Sequence, residues 1–169
     1  PSLSNVSEPG TPNPTLRALL VQMLDQSPEV RQSPLFQRDL VDVAKGYIGE
    51  AISNQIGIVV ESIGTGNASE IKAQRARFDA MMDGLDALLA TIPQHRLDRW
   101  IEMARACVES PEDKKLLEKN ARMQITIWGG PVLNEYAAKE WSGLVSDFYR
   151  RRWNLLFDAM QAKGFDEAK

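Results

Sequence analysis

Residues 118–131 of this chain, EKNARMQITIWGGP, contain its sharpest change of pattern. The first half has the charged, unbranched residues of an exposed helix and the middle turns apolar. Gly-Gly-Pro then closes the segment, because glycine and proline end helices. A helical pattern resumes shortly afterwards, with Tyr136 in its first turn. Trp128 and Tyr136 are therefore expected at one end of a helical hairpin, where aromatic rings with polar groups can pack against a sugar or a protein partner.

Residues 125–128, Ile-Thr-Ile-Trp, have the β-branched and aromatic composition of a strand. No second segment has a pattern that could pair with them, so a helix is predicted through Trp128. Elsewhere apolar residues recur every three or four positions, and Ser, Asn and Pro mark helix starts. The predicted helices span residues 15–26, 33–63, 67–92, 97–109, 110–128 and 135–162. The chain is thus predicted to be an all-α, single-domain bundle of about six helices with short connections.

Individual positions within these helices are also predicted. Ser33 is expected to cap the second helix, with Pro34 in its first turn, and Asn67 is expected to cap the third. The apolar positions of the last helix should face the core. They are Leu144, Val145, Phe148, Leu155, Leu156 and Met160.

The composition divides the chain into one domain and two tails. Residues 1–14 contain four of the nine prolines among small polar residues. They offer little surface to bury, so a disordered Pro/Ser-rich tail or linker is expected. Residues 15–163 form the predicted helical domain, which is long enough to bury its own core, and residues 164–169 form a C-terminal tail. Because the chain starts with proline rather than methionine, we expect it to be part of a larger protein.

The chain carries few signs of self-contained chemistry. A net charge of −3, with basic residues dispersed among acidic ones, predicts no nucleic-acid partner, and no apolar run is long enough for membrane insertion. His95 is interpreted as an exposed loop residue and Cys107 as a buried, inert thiol, since neither has a partner at the spacing of a metal or nucleophile site. No metal or cofactor is predicted. The acids near the turn, among which no spacing singles out a catalytic pair, are Glu118, Glu135, Glu140 and Asp147.

Short segments spread over nearly the whole chain carry a family resemblance. They are residues 120–129 (NARMQITIWG), 136–137 (YA), 141–149 (WSGLVSDFY) and 152–153 (RW), with 33–43 (SPLFQRDLVDV), 85–90 (LDALLA) and 99–102 (RWIE) upstream. In this order and near this spacing, they resemble the C-terminal all-helical domain of the α-N-acetylglucosaminidases, glycoside hydrolase family 89.

The resemblance implies an accessory domain of an exo-acting retaining enzyme that removes terminal α-linked N-acetylglucosamine from glycans. The family's catalytic glutamates belong to a preceding barrel domain, and the helical domain closes one wall of the sugar pocket. Trp128 matches a tryptophan expected to cover the apolar face of the sugar, and Tyr136 matches a tyrosine that can hydrogen-bond the sugar or a catalytic carboxylate. Supporting or structural roles are expected for Arg122, Gln124, Glu135 and Arg152.

Two other interpretations stay open at this point. Without the resemblance, Trp128 is better interpreted as a core residue at a helix end. The chain as a whole can also be a free-standing helical domain whose exposed aromatic residues bind a protein partner. The resemblance implies different partners, namely an upstream catalytic barrel domain of the same parent chain and a glycan that ends in N-acetylglucosamine. It also implies that the isolated chain is inactive and that the parent is periplasmic, secreted or lysosomal.

Overall fold

The computed structural model describes residues 13–128 and 137–163 of the chain. Within them the backbone forms helices and no β-strand, which confirms the predicted all-α fold. The helices are α1 (Pro14–Leu24), α2 (Pro28–Arg31), α3 (Pro34–Thr65), α4 (Ala68–Ala90), α5 (Leu97–Arg105), α6 (Pro111–Gln124) and α7 (Arg150–Lys163). A 3₁₀ turn at Pro93–His95 precedes α5, and a π-helical turn at Leu144–Tyr149 leads into α7. The short helix α2 is absent from the sequence-based prediction.

A side-chain cap stabilises the predicted start of α4 but not the predicted start of α3. At the start of α4, the side chain of Asn67 accepts hydrogen bonds from the backbone N–H groups of Ser69 and Glu70, at 3.1 and 3.2 Å. The predicted cap is therefore confirmed. Ser33 makes no such bond, so its predicted capping role is wrong. Helix α3 begins at Pro34 nonetheless, because the proline ring holds the backbone at a helical φ.

The core lies between α3, α4 and α7. Helix α3 ends at Gly66, where a φ of 71° lets the chain turn directly into α4. Phe78 of α4 and Phe157 of α7 are fully buried, and their rings meet edge to face with centroids 5.4 Å apart. The buried side chains that complete this core are Val41, Ile52, Ile56, Val59, Ile63, Ile71, Met82, Leu85, Leu89 and Val145.

Two helices end four residues earlier than predicted. Helix α5 ends at Arg105 rather than at residue 109, and α6 ends at Gln124 rather than continuing to Trp128. After α6, the backbone N–H groups of Thr126 and Ile127 both donate to the carbonyl oxygen of Met123, at 3.2 and 3.0 Å. These bonds close a turn over residues 125–128, where β-branched side chains favour helix less than the preceding residues do.

The start of the last helix is also corrected. A helix was predicted from residue 135, but residues 137–143 are irregular and helical geometry begins at Leu144. Leu155, predicted to be buried, is 68% exposed. The side chains that face the core from α7 are Trp153, Phe157 and Met160. Successive helical residues are about 100° apart, so Leu155 lies roughly opposite Phe157 on the helix.

The predicted domain limits fall close to the first and last helices. Helix α1 begins at Pro14, one residue before the predicted start of the domain, and α7 ends at Lys163. The rest of the predicted tails, residues 1–12 and 164–169, lies outside the described residues. Among the helices that the structure describes, none combines the length and apolarity needed to cross a bilayer.

Candidate functional site

Trp128 lies at the end of the turn that follows α6. Ile125, at the start of this turn, is buried, and the Thr126 hydroxyl donates to the carbonyl oxygen of Arg122 at 2.7 Å. These two residues hold the turn against the end of the helix. Trp128 remains 48% exposed, so it is a surface residue rather than the core residue that its sequence context alone favours. A half-exposed ring can contact a second body while part of it packs on its own domain.

Exposed apolar side chains occur on α6 and in the turn that follows it. Leu116 and Met123 are exposed on α6 at a spacing of seven residues, which places them on one side of the helix, and Ile127 and Trp128 are exposed in the turn. We call Leu116, Met123, Ile127 and Trp128 the α6 apolar stripe. A helix with an exposed apolar side next to its buried one is typical of a domain that packs against another body.

Arg122 forms an ion pair within α6. Its guanidinium contacts the carboxylate of Glu118 on the same helix, with Nε donating at 2.9 Å, and Arg105 of α5 donates to the other oxygen of this carboxylate. Hydrogen bonds from Arg122 and Arg105 hold the pKa of Glu118 below its usual value. Glu118 is therefore ionised at neutral pH and joins α5 to α6.

The other residues for which the sequence predicted a supporting or structural role are Gln124, Arg152 and Glu135. Gln124 is the exposed last residue of α6. Arg152 of α7 places its guanidinium carbon 4.9 Å from the centre of the Phe148 ring, which is a cation–π distance. Tyr136 and Glu135 lie outside the described residues.

Residues 137–143 precede the π-helical turn, and we call them the return segment. Its end is held by a side chain from α4. The Oδ1 atom of Asp86 accepts hydrogen bonds from the backbone N–H groups of Gly143 and Ser146, at 2.7 and 3.1 Å, and Oδ2 accepts one from the hydroxyl of Ser142 at 3.0 Å. Sequence reasoning assigned no role to Asp86, although it lies in one of the segments that carry the family resemblance, because its partners are 56 to 60 residues away in the chain.

The return segment is also fixed against α5 and the 3₁₀ turn. Ser142 donates its backbone N–H to the carbonyl oxygen of His95 at 2.8 Å and accepts from Leu97 N–H at 3.0 Å. Trp141 packs on Trp100 of α5, with ring centroids 6.0 Å apart. Sequence reasoning assigned no role to Trp141, although it begins one of the segments that carry the family resemblance.

The turn over residues 125–128, which we call the Trp128 turn, and the return segment line the same cleft. The cleft has a volume of about 330 Å³. Its lining includes Ile125 and Thr126 of the turn, Gly143 of the return segment and Leu144 of the π-helical turn. The structure therefore brings together two segments that lie on either side of Gly-Gly-Pro in the sequence.

Two expectations about single residues are wrong. His95 is largely buried rather than exposed, with 14% of its side chain accessible. Its Nε2 atom lies 3.1 Å from Oδ1 of Asp42 but lacks hydrogen-bond alignment. Burial alone would raise the pKa of Asp42, yet Lys45 and His95 outweigh it and hold that pKa below its usual value. His95 is buried because the return segment bonds to its carbonyl group, which draws the 3₁₀ turn onto the domain.

Cys107 is exposed rather than buried. It lies beyond the end of α5 at Arg105 and therefore outside the helix that was predicted to bury it. Its thiol donates to the carbonyl oxygen of Met103 at 3.3 Å. Over residues 13–128 and 137–163, the structure contains no cluster of three His, Cys, Asp or Glu side chains placed to hold a metal ion.

The sequence of the chain matches one family of known proteins in two comparisons. Residues 11–168 match the model of the α-N-acetylglucosaminidase (NAGLU) C-terminal domain. The chain is 30% identical to human α-N-acetylglucosaminidase over 145 residues, which are 82% of this chain and 19% of that protein.

Solved structures with a similar fold are also glycosidases. A family 89 glycoside hydrolase from Clostridium perfringens in complex with PUGNAc superposes with a TM-score of 0.76 at 26% identity, over 88% of this chain and 18% of that one. A variant of the Clostridium perfringens enzyme, in complex with its substrate GlcNAc-α-1,4-galactose, gives a TM-score of 0.75 at 25% identity, over 91% of this chain and 18% of that one.

The chain thus spans less than a fifth of the length of these relatives. The family match covers the whole helical bundle, including the Trp128 turn and the return segment. From this match we conclude that the chain belongs to the family of C-terminal domains of the α-N-acetylglucosaminidases.

Proposed function

We propose that this chain is the accessory domain of an exo-acting, retaining α-N-acetylglucosaminidase and closes one wall of its sugar pocket. The enzyme removes terminal α-linked N-acetylglucosamine from glycans, and its catalytic glutamates come from a preceding barrel domain. The observation that carries this proposal is the family match over residues 11–168. A relative crystallised with its substrate GlcNAc-α-1,4-galactose supports the substrate class.

The ionisation of Glu118 is consistent with a division of labour between the domains. Glycoside hydrolysis with retention needs one carboxylic acid that donates a proton and one carboxylate that attacks the sugar. The proton donor usually has a raised pKa. Glu118, the acid nearest the Trp128 turn on α6, has a lowered pKa because Arg122 and Arg105 bond to its ionised form. It is therefore unsuited to donate a proton.

Trp128 provides the contact with the sugar in this proposal. The ring is exposed at the end of a turn in which Ile125 is buried and the Thr126 hydroxyl bonds to the end of α6. An aromatic face covers the C–H face of a pyranose ring and excludes water from the neighbouring bond. Tyr136 donates or accepts a hydrogen bond at the sugar or at a catalytic carboxylate.

The α6 apolar stripe is the surface that packs on the preceding barrel domain. The side chains of the stripe are exposed in the isolated chain, and the relatives of the chain are more than four times as long as it is. Covering such a stripe removes apolar surface from water, which is the main favourable term in domain association. Because the stripe ends at Trp128, docking along α6 brings this ring to the edge of the partner domain.

The substitution Trp128→Ala in the full-length enzyme tests the proposal. Loss of a positioning wall can reduce kcat/KM on the order of a hundredfold, while the Tm of the variant stays near that of the unsubstituted enzyme. Met103→Ala, which removes an exposed apolar side chain from α5, is the matched control and should leave both quantities unchanged. Activity is measured on an aryl α-N-acetylglucosaminide, with the product anomer followed by NMR.

The alternative role for Trp128 gives a different result. If the ring serves only packing, its removal costs roughly 3–5 kcal/mol of stability, and the folded fraction retains normal kcat/KM. That result would remove Trp128 from the proposed pocket. An inverted product anomer would contradict the retaining mechanism.

A further inference from the structure

The return segment ends at a helix start that has no cap of its own. Gly143 occupies the position before the π-helical turn, where Ser, Thr, Asp or Asn usually supplies a side-chain oxygen to the first free N–H groups. Glycine has no such oxygen. The acceptor comes instead from Asp86 of α4, 57 residues earlier in the chain, whose Oδ1 bonds to both Gly143 N–H and Ser146 N–H.

Asp86 uses its whole carboxylate for this purpose. Oδ1 accepts the two backbone N–H groups and Oδ2 accepts the hydroxyl of Ser142. Charged acceptors of this kind form stronger hydrogen bonds than neutral ones. The neighbouring Asp83, one turn earlier on the same helix, makes only a surface ion pair with Arg150. The two acids thus differ in what they hold, although they belong to the same helix.

The residues that Asp86 holds line the same cleft as the Trp128 turn. Gly143 and Leu144 line this cleft together with Ile125 and Thr126. Ile125 is fixed by its burial. The shape of the cleft therefore depends on where the return segment ends, and Asp86 bonds at that point.

We propose that Asp86 is a positioning residue for the sugar pocket, because it sets the distance between the return segment and the Trp128 turn. The inference rests on the proposed function, in which Trp128 forms a pocket wall. Asp86 does not touch the sugar. It acts by holding the Ser142 hydroxyl and the backbone N–H groups of Gly143 and Ser146 in place.

The test compares Asp86→Ala, Asp86→Asn and Asp83→Asn in the full-length enzyme. Alanine removes all three acceptor bonds, so KM for an aryl α-N-acetylglucosaminide should rise about tenfold, with little change in kcat. Asparagine keeps an oxygen for both N–H groups and can donate to the Ser142 hydroxyl, so KM should stay within about threefold of normal. Asp83→Asn, which loses only a surface ion pair, should leave KM unchanged.

Amide hydrogen exchange gives a second readout that does not depend on activity. Exchange at residues 142–146 should be faster in Asp86→Ala than in Asp83→Asn, since the N–H groups of Gly143 and Ser146 lose their acceptor. If Asp86→Ala fails to fold, Ser142→Ala takes its place. It removes a single bond to Asp86, and KM should then rise about two- to threefold.

The outcomes separate this inference from the proposed function. If Trp128→Ala impairs the enzyme but Asp86→Ala has a normal KM, the role of Asp86 is refuted while the pocket wall stands. If Trp128→Ala has no effect, the proposed function itself fails. A fall in kcat at constant KM for Asp86→Ala indicates loss of folded enzyme and overturns the positioning role. Equal defects in the alanine and asparagine variants also overturn it, because the asparagine retains the acceptor geometry.

Discussion

Gly143 adopts a backbone conformation, with φ of 90°, that side-chain-bearing residues rarely adopt. It also lies close to Leu97 of α5. A Cβ atom at this position would be 3.2 Å from Leu97 Cβ, which is closer than ordinary packing allows. Two independent physical reasons therefore require glycine where the return segment meets the last helical part of the chain.

The substitution Gly143→Ala should lower the free energy of unfolding by roughly 1–3 kcal/mol through backbone strain, with the Leu97 contact adding to it. Gly84 offers a matched control, because it lies within α4 and has nothing within 4 Å of an added Cβ. Gly84→Ala should raise stability by about 0.5–1 kcal/mol. Urea unfolding of the two variants measures both changes. Equal effects of the two substitutions would show that the conformation of Gly143 imposes no constraint.

At the scale of elements, α7 shows how the packing of one helix is divided between its faces. Trp153, Phe157 and Met160 recur at spacings of four and three residues and face α3 and α4. Phe157 stacks on Trp153 with centroids 6.0 Å apart and meets Phe78 edge to face. Leu155 lies on the opposite side, and 68% of it is exposed. One turn of helix thus contains both a core ring and a surface leucine.

Substitutions on the two faces of α7 should differ strongly in their effect on stability. Phe157→Ala removes a fully buried ring between two other rings and should cost roughly 3–5 kcal/mol. Leu155→Ala should change the free energy of unfolding by less than about 0.5 kcal/mol in this chain, since its side chain is already in water. Thermal unfolding by circular dichroism measures both variants. A comparable loss from Leu155→Ala would mean that α7 is rotated from the described orientation.

At the scale of the whole molecule, the chain contains a core of its own but no identified pair of catalytic acids in its described residues. The buried side chains of α3, α4 and α7 form one continuous cluster. The relatives that it matches are more than four times as long. These two facts together favour a domain that folds by itself and acts only in a larger protein.

The isolated chain should therefore unfold in one cooperative transition and leave an aryl α-N-acetylglucosaminide intact. Calorimetry tests the first expectation, through the agreement of calorimetric and van't Hoff enthalpies. A discontinuous assay with the purified chain tests the second, with the full-length enzyme as the positive control. Hydrolysis by the isolated chain that disappears when one of its own acids is substituted would contradict the proposed division of labour.

Local chemistry explains which parts of the fold were predictable. The end of α3 and the start of α4 follow from Gly66 and Asn67, whose effects act within a few residues. The buried residues of α4 lie at helical spacing, as a periodic apolar pattern dictates, and they include Phe78, Met82 and Leu85. The all-α class needed nothing beyond such helical periods, caps and breaks.

The candidate site was predictable only in part. The sequence pointed to Trp128 at a helix end, and the structure places it on the surface there. It did not indicate that Asp86 and Leu97 would hold the end of the return segment, or that His95 would be buried beside it. The predicted continuation of the last helix back to residue 135 failed for the same reason, because Gly143 and its distant partners interrupt it.

The amino-acid sequence by itself determined the helical class, most helix starts, the core stripe of α4 and the family to which the chain belongs. These properties depend on residues a few positions apart, or on segments whose order can be compared directly. The tertiary structure alone decided the burial of His95, the exposure of Leu155 and Cys107, and the cleft between the Trp128 turn and the return segment. Those features arise from contacts such as that of Asp86 with Gly143, between residues that are far apart in the chain. Neither periodicity nor capping chemistry encodes which distant side chain will supply such a contact.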